Sequence, residues 1–239
     1  MVGLQPVREA IRRHGRALHE VLIDARPAPK LEALARFAAD QGVTRVSRTP
    51  RGELDRLSHG VAHQGAAAYA PDLELFPLGS VMGTPDALGL ALDSLQDPQN
   101  FGAVIRSAVA LGGAAIIWGE HASAPLTPAT FRASAGAIEH ARLCRVPSLH
   151  EALAGLRDEG VTVIGLDPTA PARLAELDLT GRTTLVLGGE GEGLSRVVRR
   201  SCTQLAALGG LASIDSLNAS VAAGVALYES LRQRMKLGT

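Results

Sequence analysis

The chain has 239 residues, a formal net charge of zero, 46% hydrophobic and 20% charged residues, which excludes a disordered chain and leaves room for one large domain or two modest ones. A neutral chain is not a nonspecific coat for nucleic acid, and its apolar runs fall short of the ~20 residues of a membrane span. Arg8, Arg12, Arg13 and Arg16 break up any leader-like start, while Cys144 and Cys202 form no CxxC or Cys/His ligand pattern, so no metal site is expected and both read as reduced core thiols of a cytoplasmic protein.

Residues 4–17 read as a helix, with Leu4, Val7, Ile11 and Leu18 at helical spacing. A strand over 19–24, a helix over 30–41 stopped by Gly42, a strand over 43–46, a helix over 51–58 and a strand over 65–69 complete a small alternating α/β unit. This front domain, residues 1–70, carries 11 Arg and Lys against 7 Asp and Glu, plus four His, a mildly basic balance that suits phosphates. Residues 71–85, interspersed with Pro, Gly and Asp, read as a linker. In residues 86–239 the pattern predicts strand 88–93, helix 100–111, strand 114–118, helix 127–136, strand 141–146, helix 148–158 and strand 161–166. Strand 183–188, helix 193–201, strand 204–208 and a last helix over about 217–234 follow. Such alternation implies a mostly parallel sheet with helices on both faces, and ligands beyond the carboxyl ends of its strands.

Three strand-to-helix junctions concentrate the chemistry: DPQNFGAVIRSA at 97–108, LVLGGEGEGLS at 185–195 and SLNASVAAGVALY at 216–228. Helix N-termini offer unpaired N–H groups and a positive dipole end, which suit anionic and nucleotide-like ligands. GGEGEG does not keep the GxGxxG spacing, since Leu194 and Arg196 stand where glycine is needed, and no GK[ST] follows. Its GxGxG does match the loose loop of ordinary Rossmann methyltransferases, but that loop follows a domain's first strand, and this one lies near the chain's end. Taken alone, it is equally a structural turn. Asn100 reads as a plain N-cap or as a functional amide, and Ser216 and Asn218 are open to the same two readings. Arg106, in a stretch of Ala, Val, Ile and Ser, calls for an anionic or hydrogen-bonding partner.

In order and spacing, the three stretches resemble the motifs of the SpoU (TrmH) family of RNA ribose 2′-O-methyltransferases, most closely the bacterial branch that methylates a guanosine ribose in 23S ribosomal RNA. Gly3–Ala10 and Gly60–Tyr69 also resemble that family's small substrate-binding domain. The resemblance implies an α/β fold with a C-terminal trefoil-knotted (SPOUT) parallel-sheet methyltransferase domain, and a small N-terminal α/β substrate-binding domain of ribosomal-protein-like fold. It further implies S-adenosylmethionine as cofactor, RNA as partner, ribosomal RNA foremost, and a homodimer formed through the knotted domain. By the same resemblance Asn100, Arg106, Glu190, Ser216 and Asn218 match active-site positions, and Gly188, Gly189, Leu208, Gly209, Gly210 and Leu217 match the cofactor-lining ones. Where the family carries an Ile-Pro-Met-x-Gly-like loop, this chain has Leu208-Gly209-Gly210-Leu211-Ala212, a more flexible sequence. That departure motivates an alternative: an RNA-binding member with impaired catalysis. Transfer-RNA and antibiotic-resistance ribosomal methyltransferases are the alternatives within the class.

The chemistry expected is positioning. An arginine with a pKa above ~12 is a poor base, so Arg106 is assigned to binding ribose and phosphate and stabilising alkoxide charge, with phosphate-assisted deprotonation as the other version. Asn100 and Asn218 would orient the ribose hydroxyls and Arg106, and Glu190 would hold a helix start or bond across the site. The last helix should carry dimer contacts as well as cofactor-site residues, since Ala219, Val221, Ala222, Val225, Ala226 and Leu227 are apolar over more than one face, and Ala222 and Ala226 are small enough to admit a partner helix.

Overall fold

The computed structural model describes residues 1–121, 126–209 and 217–235. The chain forms two compact units, one of Met1–Leu73 with Leu126–His140, the other of Glu74–Pro125 with Ala141–Thr239.

The first unit holds α1 (Leu4–His14), β1 (Glu20–Asp24), α2 (Pro29–Asp40), β2 (Val46–Thr49), α3 (Arg51–Leu57) and β3 (Ala66–Tyr69). Its sheet runs β2-β1-β3, parallel between β1 and β2 and antiparallel between β1 and β3. Alternation sorts β1: Val21 and Ile23 join the core formed with Val7, Ile11 and Leu34, while Leu22 meets Leu54 and Ala67. The strand expected at 43–46 begins only at Val46, because Val43 closes α2. Its N–H donates to Ala38 O at 2.9 Å past Gly42 at φ 79°, the capping turn that a left-handed glycine permits.

Helix α6 (Pro128–Ala133) and the turn after it pack in this unit, although they come from the middle of the second unit's sequence. Gly136, at φ 87°, leaves no room for a side chain, since a Cβ there would stand 2.8 Å from Glu9 Cβ. His14 Nε2 and Glu139 Oε2 are 2.6 Å apart, and His140 Nε2 lies 3.1 Å from Glu9 Oε2. The sequence division into 1–70, 71–85 and 86–239 therefore differs from the units in two places. The second difference is the supposed linker, whose Pro and Gly conceal α4 (Leu78–Met82), with Val81 and Met82 buried in the second unit's core.

The second unit is a six-stranded sheet, and every neighbouring pair in it is parallel. Its strands are β4 (Leu88–Asp93), β5 (Ala115–Gly119), β6 (Leu143–Val146), β7 (Thr162–Leu166), β8 (Thr183–Gly188) and β9 (Gln204–Ala206), in the order β6-β5-β4-β8-β7-β9. Strands β4 and β5 are buried at every residue, as a parallel sheet covered on both faces requires. From β4 the chain moves outward to β5 and β6, while from β8 it moves over β7 to β9. The winding direction thus reverses between β4 and β8, and a crevice opens beyond their carboxyl ends.

Four further helices serve this sheet: α5 (Pro98–Ala110), α7 (Leu149–Asp158), α8 (Arg196–Ser201) and α9 (Ala219–Met235). Phe101, Val104, Ile105 and Ala108 bury one face of α5, and Phe101 meets Trp118 edge-on at 5.5 Å. Burial pushes the Cys144 and Cys202 thiols up to about 11, in keeping with inert core cysteines. No helix among the described residues is long and apolar enough to cross a membrane. Between β9 and α9, residues 210–216 lie outside the described residues.

Helix α9 packs on α5, with Gly224 opposite Ser107. Ala222, Ala223 and Ala226 are buried within the single chain, so the expectation that Ala222 and Ala226 meet a partner helix is corrected. The replacement Ala226→Asp should cost several kcal/mol by burying an unpaired charge, read as a lowered thermal midpoint of the full chain.

Candidate active site

Two loops line the crevice, each leaving the carboxyl end of a central strand. Asp93 and Gly188 are register partners at the ends of β4 and β8. After β8 the chain doubles back: Gly193 N donates to Gly189 O at 3.1 Å, and a Cβ on Gly188 would overlap the Gly193 backbone. A Cβ on Gly189 would stand 2.7 Å from Ser94 O in the neighbouring loop. Gly191 and Gly193 take φ 82° and 66°, where side chains are rarely tolerated. Gly188 and Gly189, singled out from sequence, are thus required by close backbone approach, and Gly191 and Gly193 by their backbone angles. Between the loops lies a cleft of about 500 Å³, lined by Ser94, Asp97, Glu190, Gly193, Ser195 and Arg196 among others.

Asp93, which sequence reasoning missed, locks the two loops together. It is buried, and its Oδ2 accepts the Ser195 N–H at 2.7 Å. A single aspartate at a strand end carries no pattern, but its place just before a polar loop was the available signal. Asp167 was missed too. It follows β7, pairs with Arg199 of α8, and has its carboxyl held below the usual range first by the Thr169 hydroxyl.

The start of α5 resolves the ambiguity about Asn100. Asp97 is the cap, accepting Gln99 N–H at 3.0 Å and Asn100 N–H at 3.3 Å, with Pro98 in the first helical position. The Asn100 side chain is released from capping and faces the crevice. Its Nδ2 donates to Glu190 Oε1, and its Oδ1 accepts from Asn218 Nδ2 at 3.2 Å. Asn218 also caps α9, its Oδ1 accepting the Ser220 N–H at 2.9 Å and the Val221 N–H at 3.4 Å. One residue from each junction thus enters a single chain of hydrogen bonds.

Arg106 lies on α5 but is exposed, and it makes no hydrogen bond or ion pair among the described residues. The partner expected from its apolar neighbours is not required, because it sits opposite the buried face of α5, with Ala103 and Ala110. Leu208 is half-buried, Gly209 is exposed at φ 88°, and Leu217 is exposed beside Asn218. Ser216 and Gly210, expected in the active site and the cofactor loop, lie outside the described residues.

A parallel sheet with a glycine-lined crevice at its winding reversal, joined to a small α/β unit, defines a two-unit RNA methyltransferase once the comparisons are added. Residues 87–228 match the SpoU rRNA Methylase family, and residues 1–76 match the family described as RNA 2′-O ribose methyltransferase substrate binding. The chain belongs to the SpoU rRNA methylase family. An uncharacterized tRNA/rRNA methyltransferase of Mycobacterium tuberculosis is 38% identical over 242 residues, covering 99% of this chain and 74% of that protein. One of Mycobacterium sp. strain KMS is 36% identical over 241 residues, covering 98% of this chain and 76% of the relative. Among solved structures, the SpoU methyltransferase AviRb from Streptomyces viridochromogenes, in complex with the cofactor AdoMet, superposes with a TM-score of 0.77. It is 27% identical, covering 99% of this chain and 90% of that one.

The two duties of Asn218 are separable. Asn218→Ala should cost about 0.5–2 kcal/mol of stability through the lost cap and disconnect Asn100. Asn218→Asp should keep the cap and lose only the donor to Asn100. Denaturant unfolding beside a methyl-transfer assay should then show both properties falling in the alanine variant and activity alone falling in the aspartate variant.

Proposed function

We propose that the protein transfers the methyl group of S-adenosylmethionine to a ribose 2′-hydroxyl of RNA, the acceptor being a guanosine of 23S ribosomal RNA in the cytoplasm. The observation that carries this reading is the chain Glu190–Asn100–Asn218, which joins all three junctions at the crevice. The chain also matches, over nearly its full length, a SpoU methyltransferase solved with AdoMet. In favour of ribosomal RNA, residues 1–76 match a substrate-binding family. In addition, a neighbour solved for 2′-OH methylation of C/U34 on tRNA covers only 64% of this chain.

The crevice suits the cofactor. Close-packed glycines bare the backbone donors and acceptors of the 188–193 loop, and the exposed Leu217 offers an apolar surface beside Asn218. Gly188, Gly189, Leu208, Gly209 and Leu217 would hold the cofactor, with Gly210 in the same loop. When bound, it supplies a sulfonium-activated methyl group.

The chain's own residues do the positioning. Asn100 fixes the Glu190 carboxylate through Oε1, leaving Oε2 without a partner among the described residues and free to accept a ribose hydroxyl. Asn218 fixes the rotamer of Asn100. Arg106, exposed on the same helix and without a partner among the described residues, supplies a guanidinium fork for the ribose–phosphate and for developing charge on the acceptor oxygen. Ser216 would complete the constellation.

Incorporation of labelled methyl into unmodified 23S transcript, with a transfer-RNA pool alongside, tests the acceptor, and mapping the labelled nucleotide tests the base. Label confined to transfer RNA would overturn the ribosomal assignment. Arg106→Ala should abolish transfer while calorimetric S-adenosylmethionine affinity stays within about two-fold. Arg106→Lys should also fail, since a point charge does not reproduce the fork; near-normal turnover in either variant would remove Arg106 from the mechanism.

A homodimer through the second unit belongs to the same proposal. Leu217, Val221, Val225 and Tyr228 fall on one face of α9 and its leading residues, and each is between 44% and 55% exposed in the single chain. An exposed apolar stripe of this kind marks an interaction surface. Val225→Glu should yield a folded monomer in sedimentation, because the side chain is not needed within the chain.

A further inference from the structure

The first unit contains a charge cluster that the chemistry above leaves unused. Asp24 ends β1, the central strand of the three-stranded sheet, and its side chain is only 5% exposed. Its backbone is held on both sides of the cluster, its N–H donating to Gly65 O at 2.8 Å and Ala25 N–H donating to Thr49 O at 2.9 Å. The carboxylate gathers Arg26 from three directions: Oδ1 accepts Arg26 N–H at 3.0 Å and Nε–H at 3.3 Å, and Oδ2 accepts Nη2–H at 2.9 Å. Arg51, the first residue of α3, brings Nη1 to 3.6 Å from the same Oδ2. The two arginine side chains remain 65% and 55% exposed.

The arrangement differs from the unit's other ion pairs. Arg48 with Glu32, and Arg12 with Glu9, each form one arginine–carboxylate ion pair, although Arg36 also lies near Glu32 and His140 near Glu9. Among the described residues, Asp24 is the only carboxylate of the first unit that forms ion pairs with two arginines, which leaves the trio with one net positive charge. The Arg26 hydrogen bonds, together with the charge of Arg51, hold the Asp24 carboxyl down to about 2, so it stays ionised throughout any working range. Asp55 of α3 is the remaining acid near Arg26, and it is engaged by His63 at 2.9 Å.

An exposed ion pair adds little stability, and a buried carboxylate loses hydration. The cluster's effect is instead geometric. Arg26 spends its Nε–Nη2 edge on Asp24, which fixes the plane of the guanidinium and leaves Nη1 turned away from the carboxylate. Two long side chains that would otherwise sample many rotamers meet the same carboxylate oxygen and keep most of their surface exposed, a pairing that suits a tetrahedral anion.

We propose that Arg26 and Arg51, positioned by Asp24, form a binding site for a backbone phosphodiester of the RNA substrate. The inference rests on the reading of the first unit as the RNA-binding part. Asp24 acts here through the arginines and touches no phosphate itself.

The test is filter binding of the full chain to unmodified 23S transcript across a potassium chloride series. Arg26→Ala and Arg51→Ala should each weaken binding about ten-fold near ~0.1 M salt and lower the slope of log affinity against log salt by about 1. Arg48→Ala, which removes an arginine from a one-to-one pair, should change affinity less than two-fold. Asp24→Asn decides between geometry and bulk charge. It removes a negative charge, so summed electrostatics alone would tighten binding, whereas loss of the fixed arginines weakens it, raising KM for RNA with kcat preserved at saturation. Arg26→Lys, which retains charge without the fork, should fail to restore affinity. Tighter or unchanged binding by Asp24→Asn, or unchanged binding by the two alanine variants, overturns the site while leaving the RNA-binding role intact. A wild-type chain that does not bind the transcript overturns both.

Discussion

The second unit is organised around a place where the backbone has no room for a side chain. At the end of β8, Gly188 lies so close to Gly193 that the chain folds back on itself, and the returning loop is tied to β4 through Asp93 and Ser195. Any side chain at 188 would push the loop away from the neighbouring strand and open the crevice to bulk water. With the closure in place, Glu190 is carried to the lip of the crevice, where Asn100 meets it. The sheet supplies the rest of the frame, because its winding reverses between these two strands.

Capping chemistry divides the polar residues between structure and function. At α5 the division is between neighbours, Asp97 satisfying the helix N-terminus while Asn100 reaches across the crevice. At α9 a single residue does both: the Asn218 oxygen serves the helix and its nitrogen serves Asn100. The placement of α9, which packs on α5, therefore sets the position of the crevice amides.

Much of this was legible in the sequence, for identifiable reasons. Alternating apolar runs and glycine stops give the order of strands and helices, since burial on both faces of a parallel sheet leaves little freedom in composition. Glu190, Asn100 and Asn218, which the structure brings together, each stand at a junction with a recognisable pattern. Arg106 was found for a reason the structure does not support: alanines around it suggested burial, but alanine sits as readily on an exposed face. Asp93 was missed because one carboxylate at a strand end has no periodicity to betray it. Val81 and Met82 were hidden by the prolines and glycines around α4. Val221 and Val225 were named together with the alanines, and Tyr228 was not, because α9 is apolar on more than one side and composition does not say which side the chain itself covers. Ser216 and Gly210 are legible in sequence alone, as they fall outside the described residues.

The split make-up of the first unit bears on how the protein is made. On the ribosome, residues 1–73 emerge first, and N-terminal domains ordinarily fold as soon as they are free. Here the carboxylate facing His14 belongs to Glu139, and the backbone that packs against Pro6 and Glu9 belongs to Gly136. Both arrive only after β4, α5 and β5 have been translated. Until then α1 carries two histidine–carboxylate positions with one partner missing from each, Glu139 from His14 and His140 from Glu9. The first unit to be started is thus finished in the middle of synthesis of the second, which couples the assembly of the two in time.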